Sequence, residues 1–128
     1  MRLLLVLLLL LPALADLKSE ALAASQAFEQ AGLKATRISE VYPFVTRASV
    51  VYLRGLTSDK QTKWLKMLQT VTRMERERGI LPLVDAQISG NKATLIFSEK
   101  QSKEVLTKEV KLLLEDQVWK VDVTSYTI

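Results

Sequence analysis

The chain has no cysteine and no histidine. Each absence removes a class of chemistry. Without cysteine there is no disulfide, no thiol nucleophile and no residue to carry an N-terminal lipid. Without histidine there is no imidazole base and no serine–histidine pair. Zinc would lack its usual nitrogen and sulfur ligands, so neither a metal nor another cofactor is expected. Aromatic residues are sparse, at 6%, and the lysines and arginines are interspersed with glutamates and aspartates. A nucleic-acid surface gathers cations beside stacking rings. No stretch of this chain does so, and nucleic acid is not expected as a partner. The formal charge of +4 reads as a solubility feature.

Long apolar runs are also scarce, and the longest lies at the start. Met1-Arg2 supplies a positive charge, Leu3 to Leu11 is unbroken Leu and Val, Pro12 follows, and Ala13-Leu14-Ala15 is a small-x-small pattern before Asp16. That order is the order of a cleavable export signal. A membrane-spanning helix needs roughly 20 apolar residues, more than this run provides. Cleavage is expected after Ala15. Residues 1–15 are then the signal and residues 16–128 a single domain, in the periplasm or secreted, with no stable membrane anchor after cleavage. Arg2 leaves with the signal and lowers the charge by one. A domain of this size buries roughly two-thirds of its unfolded surface, enough to hold together by packing alone.

Hydrophobic periodicity divides the domain into a helical first half and a strand-rich second half. Leu17, Ala21, Ala24, Phe28 and Ala31 recur at helical spacing, and Gly32 offers a left-handed end to that helix. In Thr36 to Gly55, Pro43 suits the first turn of a second helix, with Phe44, Val45, Ala48, Val51 and Tyr52 as its stripe; the β-branched content keeps a strand as the alternative. A third helix opens at Thr57 or Ser58, carries Trp64, Met67, Leu68, Val71 and Met74 as an apolar stripe, and stops at Gly79. After Pro82 the period becomes two. Strands are expected over 83–88, 93–98, 104–114 and 118–127, with Gly90-Asn91 supplying the positive φ angles of a tight hairpin. Helices followed by strands, in separate runs, indicate an α+β domain with N-terminal helices packed on a curved, four-stranded antiparallel sheet.

The stretch from Lys108 to Asp122, KEVKLLLEDQVWKVD, resembles the closing hairpin of the nuclear transport factor two-like superfamily: an apolar strand, an acidic turn and a Trp-Lys-Val-Asp strand. Glu115-Asp116-Gln117 replaces the usual glycine turn. The resemblance implies a cone-shaped fold with an internal pocket. Enzymes of that superfamily commonly use an Asp with a His or Tyr partner. With no histidine here, the resemblance leaves a Tyr–Asp isomerase or cyclase chemistry, for which Asp85 is the candidate carboxylate. Another branch carries lipids across the periplasm.

Five residues stand out as candidate ligand contacts. Trp119 shares a strand phase with Val121 and Val123, which makes it a core anchor or a stacking surface, and turns Asp122 to the other face. Lys108 is a cation in the apolar phase of Leu106, Val110, Leu112 and Leu114; it binds an anion in a pocket or reaches the rim. Asp85 faces the interior or water depending on which phase of its strand is the core. The phase of Val84, Ala86 and Ile88 makes the better core face and turns Asp85 outward, so no residue is assigned a catalytic role. Tyr42 and Tyr52 can donate hydrogen bonds into a cavity. The expected function is that of an exported, non-catalytic envelope protein binding a small apolar ligand or a protein partner. A lipid carrier and an Asp85-dependent enzyme are the alternatives, and a homodimer remains open.

Overall fold

The computed structural model describes residues 14–126. The element order is α1 (Leu14–Lys34), a 3-10 helix (Ile38–Phe44), α2 (Arg47–Gly55), α3 (Ser58–Arg78), β1 (Leu83–Ser89), β2 (Lys92–Gln101), β3 (Glu104–Glu115) and β4 (Val118–Val121). The strands form one antiparallel meander in the order β1-β2-β3-β4. The sheet is curved and unclosed, and the helices pack on it, so the domain is α+β. α1 touches α3, the 3-10 segment and all four strands. Most of residues 1–15, the expected export signal, lies outside the described residues. Leu14 and Ala15 form the exposed first turn of α1.

α1 buries Ala21, Ser25, Phe28 and Gly32 along one stripe. Gly32 does not end this helix, contrary to the sequence expectation. The helix runs two residues further, and a Cβ on Gly32 would lie 2.7 Å from Leu68 Cδ2 of α3. The glycine is there for close approach of two helices. The last carbonyls of α1 are satisfied from outside: the Gln69 amide donates to Gly32 O at 3.0 Å and Ala35 O at 2.9 Å. Gln61, two turns earlier on α3, does the same for α2, donating to Leu53 O at 3.0 Å and Leu56 O at 3.2 Å. Helix ends leave such carbonyls without intrahelical partners.

The region from Thr36 to Gly55 is two helices, not one. Pro43 sits inside the 3-10 helix, and α2 begins afresh at Thr46, whose side chain accepts from the Ser49 amide. The apolar stripe is consequently displaced. α2 buries Ser49 and Leu53, and Val51 is 72% exposed. On α3, Thr57 is the N-cap and Gly79 the C-cap with φ of 96°. Its buried face is Trp64, Leu65, Leu68 and Thr72. Val71 and Met74 of the expected stripe are exposed, because the buried track steps by four residues and leaves them behind.

In the sheet, Ala86, Ala93, Leu95, Phe97, Val110, Leu112, Trp119 and Val121 are buried, as is Val123 just beyond β4. A β-bulge between Leu83 and Asp85 breaks the phase of β1, so Ala86 is buried but Val84 is 57% exposed. The β1–β2 turn has positive φ at Gly90, at 59°, but not at Asn91; a glycine at the first central position is the signature of a type II′ hairpin. The β3–β4 turn has positive φ at both Asp116 and Gln117, as a type I′ turn requires. Arg47 secures that strained turn. Its guanidinium pairs with Asp116 and its amide donates to Glu115.

β4 stops at Val121 rather than running to residue 127. The Asp122 carboxylate accepts from the Thr124 amide at 2.9 Å and hydroxyl at 2.6 Å, curling the chain out of the ladder. Just beyond the strand, the Val123 amide donates to the Ser49 hydroxyl at 2.9 Å, which lies 2.7 Å from the Thr46 hydroxyl. A parallel bridge joins Val45 to Val121, and Thr46 N donates to Val121 O at 3.0 Å. The α2 cap and the edge of the sheet are thereby one hydrogen-bonded unit.

Candidate functional site

Lys108 occupies the inner phase of β3 in the part of the sheet beyond Val110. A free ammonium on an apolar face would be costly. Here Nζ lies 2.8 Å from Glu29 Oε1 of α1 and 2.8 Å from Glu75 Oε2 of α3, and 5.4 Å from the centroid of the Phe97 ring. All three charged side chains are about a quarter exposed, at 27%, 24% and 28%. Burial works against the Lys108 charge. The hydrogen bonds to Glu29 and Glu75, and the negative charges behind them, outweigh it and raise the lysine above its ordinary value. The ammonium is therefore held protonated and is unsuited to act as a nucleophile.

This ionic cluster stands between two hollows. On one side is a cleft of about 410 Å³. Leu22 and Ala27 of α1, Ile80 and Leu81 of the link to β1, and Phe97 of β2 supply its apolar wall; Gln26, Gln30 and Arg76 line its polar part. Arg76 donates to Gln30 Oε1 at 3.0 Å. On the other side is a cavity of about 220 Å³ lined by Phe28, Leu68, Val110 and Tyr126. Ser25, Glu29, Glu75 and Lys108 contribute to both. Burial pushes the Tyr126 phenol up to about 12. Its ring stacks on Trp64, with centroids 6.5 Å apart.

The five candidates from the sequence do not form one site. Lys108 lines the cleft. Its anion-binding role is taken by the protein's own carboxylates. Trp119 is 4% exposed and is a core residue; its indole N–H, like that of Trp64, has no acceptor within reach. Asp85 is exposed on β1, accepting from Gln87 Nε2 at 3.1 Å, as the apolar-phase argument expects. Tyr52 is half-buried, its hydroxyl 3.5 Å from Tyr126 O. Tyr42 lies in a separate groove along α3, with the Arg54 guanidinium 5.4 Å from its ring centroid. Neither tyrosine contacts Asp85.

Sequence reasoning missed Glu29, Glu75 and Tyr126. Glu29 directly follows Phe28 of the buried stripe, and Glu75 directly follows Met74. Helical spacing puts both at the border of an apolar face, the one signal that could have marked them. Among the described residues no group of acidic side chains is placed to hold a metal ion, and no helix is long and apolar enough to cross a membrane. Comparison with protein-family models, with curated proteins and with solved structures finds no match.

Proposed function

We propose that the protein is an exported, non-catalytic envelope protein that binds one small amphiphile in the cleft between α1, Leu81 and Phe97. The observation that carries this reading is the union of an apolar wall with a self-neutralised charged end. The cleft volume of about 410 Å³ falls within the range of roughly 300–1,000 Å³ typical of small-molecule sites. Lys108 and Arg76 balance Glu29 and Glu75, so the lining carries no net charge to attract a bare anion or cation. Burial of apolar surface supplies the affinity, and the amides of Gln26 and Gln30 can hydrogen-bond a neutral or zwitterionic head.

The same features favour a small ligand over a two-chain lipid, and they rank the lipid-carrier reading second. Export rests on the first residues of the sequence. The relationship to the nuclear transport factor two-like superfamily, with its pocketed cone, is part of this proposal and rests on the closing hairpin.

The test is saturable binding of the uncharged fluorescent probe N-phenyl-1-naphthylamine. Ile80 is 76% exposed, so Ile80→Asp charges the wall without opening the core. The wild type should bind and brighten the probe, a zwitterionic lysophospholipid should displace it, and Ile80→Asp should weaken binding by about ten-fold. Equal binding by the variant would refute the assignment of the cleft.

A further inference from the structure

A groove of about 780 Å³, larger than the cleft, runs between the 3-10 segment and α3. Its character is opposite. Arg37, Lys66 and Arg73 line it, together with the hydroxyl-bearing Thr36, Ser39 and Ser58, and none of its lining residues is acidic. Lys66 and Arg73 lie seven residues apart on one helix, about 10 Å along its axis. Among the described residues neither has an ion-pair partner. Asp59 pairs with Lys63 at 3.0 Å; Glu40 accepts from the Thr36 amide and hydroxyl and lies 3.9 Å from Arg37, so those two lining residues already have an acidic partner. The groove amides are committed too, since Gln61 and Gln69 cap α2 and α1. What remains for a ligand is Lys66 and Arg73 with the Ser39 and Ser58 hydroxyls in an open trough.

We infer that this groove binds an acidic glycan, an extended sugar chain bearing carboxylates. Charge complementarity carries the inference: Lys66 and Arg73 line one trough that has no acid among its lining residues, with Arg37, already paired with Glu40, as a third cation of the lining. The trough shape suits an extended chain rather than a flat membrane. Tyr42 is the only aromatic of the lining. A nucleic-acid groove stacks successive bases on several rings, which favours sugars over nucleotides. This site is separate from the cleft, and its failure would leave the cleft reading intact.

The experiment is fluorescence anisotropy of a labelled oligogalacturonate at low salt. A labelled neutral dextran of equal length and a labelled single-stranded oligonucleotide serve as comparisons. Lys66→Glu/Arg73→Glu changes two exposed side chains within the groove. Lys103→Glu/Lys111→Glu makes the same charge change elsewhere on the surface. The inference expects saturable binding of oligogalacturonate that weakens with added salt, a loss of about ten-fold or more in the groove variant, and near-parental binding by the control variant. It is overturned if the two double variants lose binding equally, if the groove variant binds like the parent, if dextran binds as well, or if the oligonucleotide binds more tightly than the glycan.

Discussion

The side-chain amide of Gln69 donates to the carbonyl of Gly32 at 3.0 Å. The residue that looks like a helix stop is therefore a crossing point, and the stop is supplied by another helix. Replacing Gln69 by Ala removes the donor to Gly32 O of α1 and to Ala35 O just beyond it. Each lost hydrogen bond is worth about 1 kcal/mol, so Gln69→Ala should cost about 2 kcal/mol in urea unfolding. A variant as stable as the parent would show that water replaces the amide at no cost.

Lys108→Met should destabilise the domain by roughly 1–3 kcal/mol. The substitution keeps the apolar stem but leaves Glu29 and Glu75 facing each other without their cation, and unpaired charge at a partly buried site is costly. Adding Glu29→Gln and Glu75→Gln to Lys108→Met should recover much of the loss. Chemical denaturation of the single and triple variants checks both statements; a triple variant no better than the single would show that the loss comes from packing.

Alkaline pH should weaken the fold through two groups. Lys108 is raised in the folded state, so its contribution is complete below about pH 10.5 and is lost as pH rises through the folded value. Tyr126 is raised by burial to about 12. Above about pH 10 the unfolded phenol ionises while the folded one does not, which again favours unfolding. Absorbance titration at 295 nm should show one phenol ionising near 12, and Tyr126→Phe should remove that step. A Tyr126→Phe titration that still contains the late step would contradict the assignment.

Ser49→Ala should cost about 1–3 kcal/mol, because it leaves the buried Val123 amide without its acceptor. Trp119→Ala should cost roughly 3–5 kcal/mol, the usual loss for emptying a large aromatic site in a core. Asp122→Asn should cost little, since the amide oxygen can still accept from Thr124. Thermal melts of the three variants would test the ranking, and a Trp119→Ala protein that melts like the parent would contradict the core assignment.

Much of the fold is legible in the sequence because it depends on periods and local chemistry. The period-two alternation after Pro82 marks all four strands. The phase of Trp119, Val121 and Val123 holds, as do Thr57 and Gly79 at the ends of α3. The errors arise where another element overrides a local signal. Gly32 reads as a cap until Gln69 reaches it from α3. Val84 reads as core until the bulge rotates it out. Val51 reads as part of a stripe because Pro43 looks like a helix start, when the helix instead begins at Thr46. The charged cluster was half legible: Lys108 is conspicuous in its apolar phase, but Glu29 and Glu75 look like ordinary surface residues. Only packing of α1 and α3 over β3 brings them within 2.8 Å of it.

The most direct measurement of the cleft reading is a methyl and aromatic NMR titration of the protein with a zwitterionic single-chain lysophospholipid below its micelle concentration. Binding in the cleft predicts saturable shifts of Leu22, Ile80, Leu81 and Phe97, with Val51 and Val118, exposed elsewhere on the surface, unmoved. Shifts that never saturate, or that spread equally over Val51 and Val118, would contradict it.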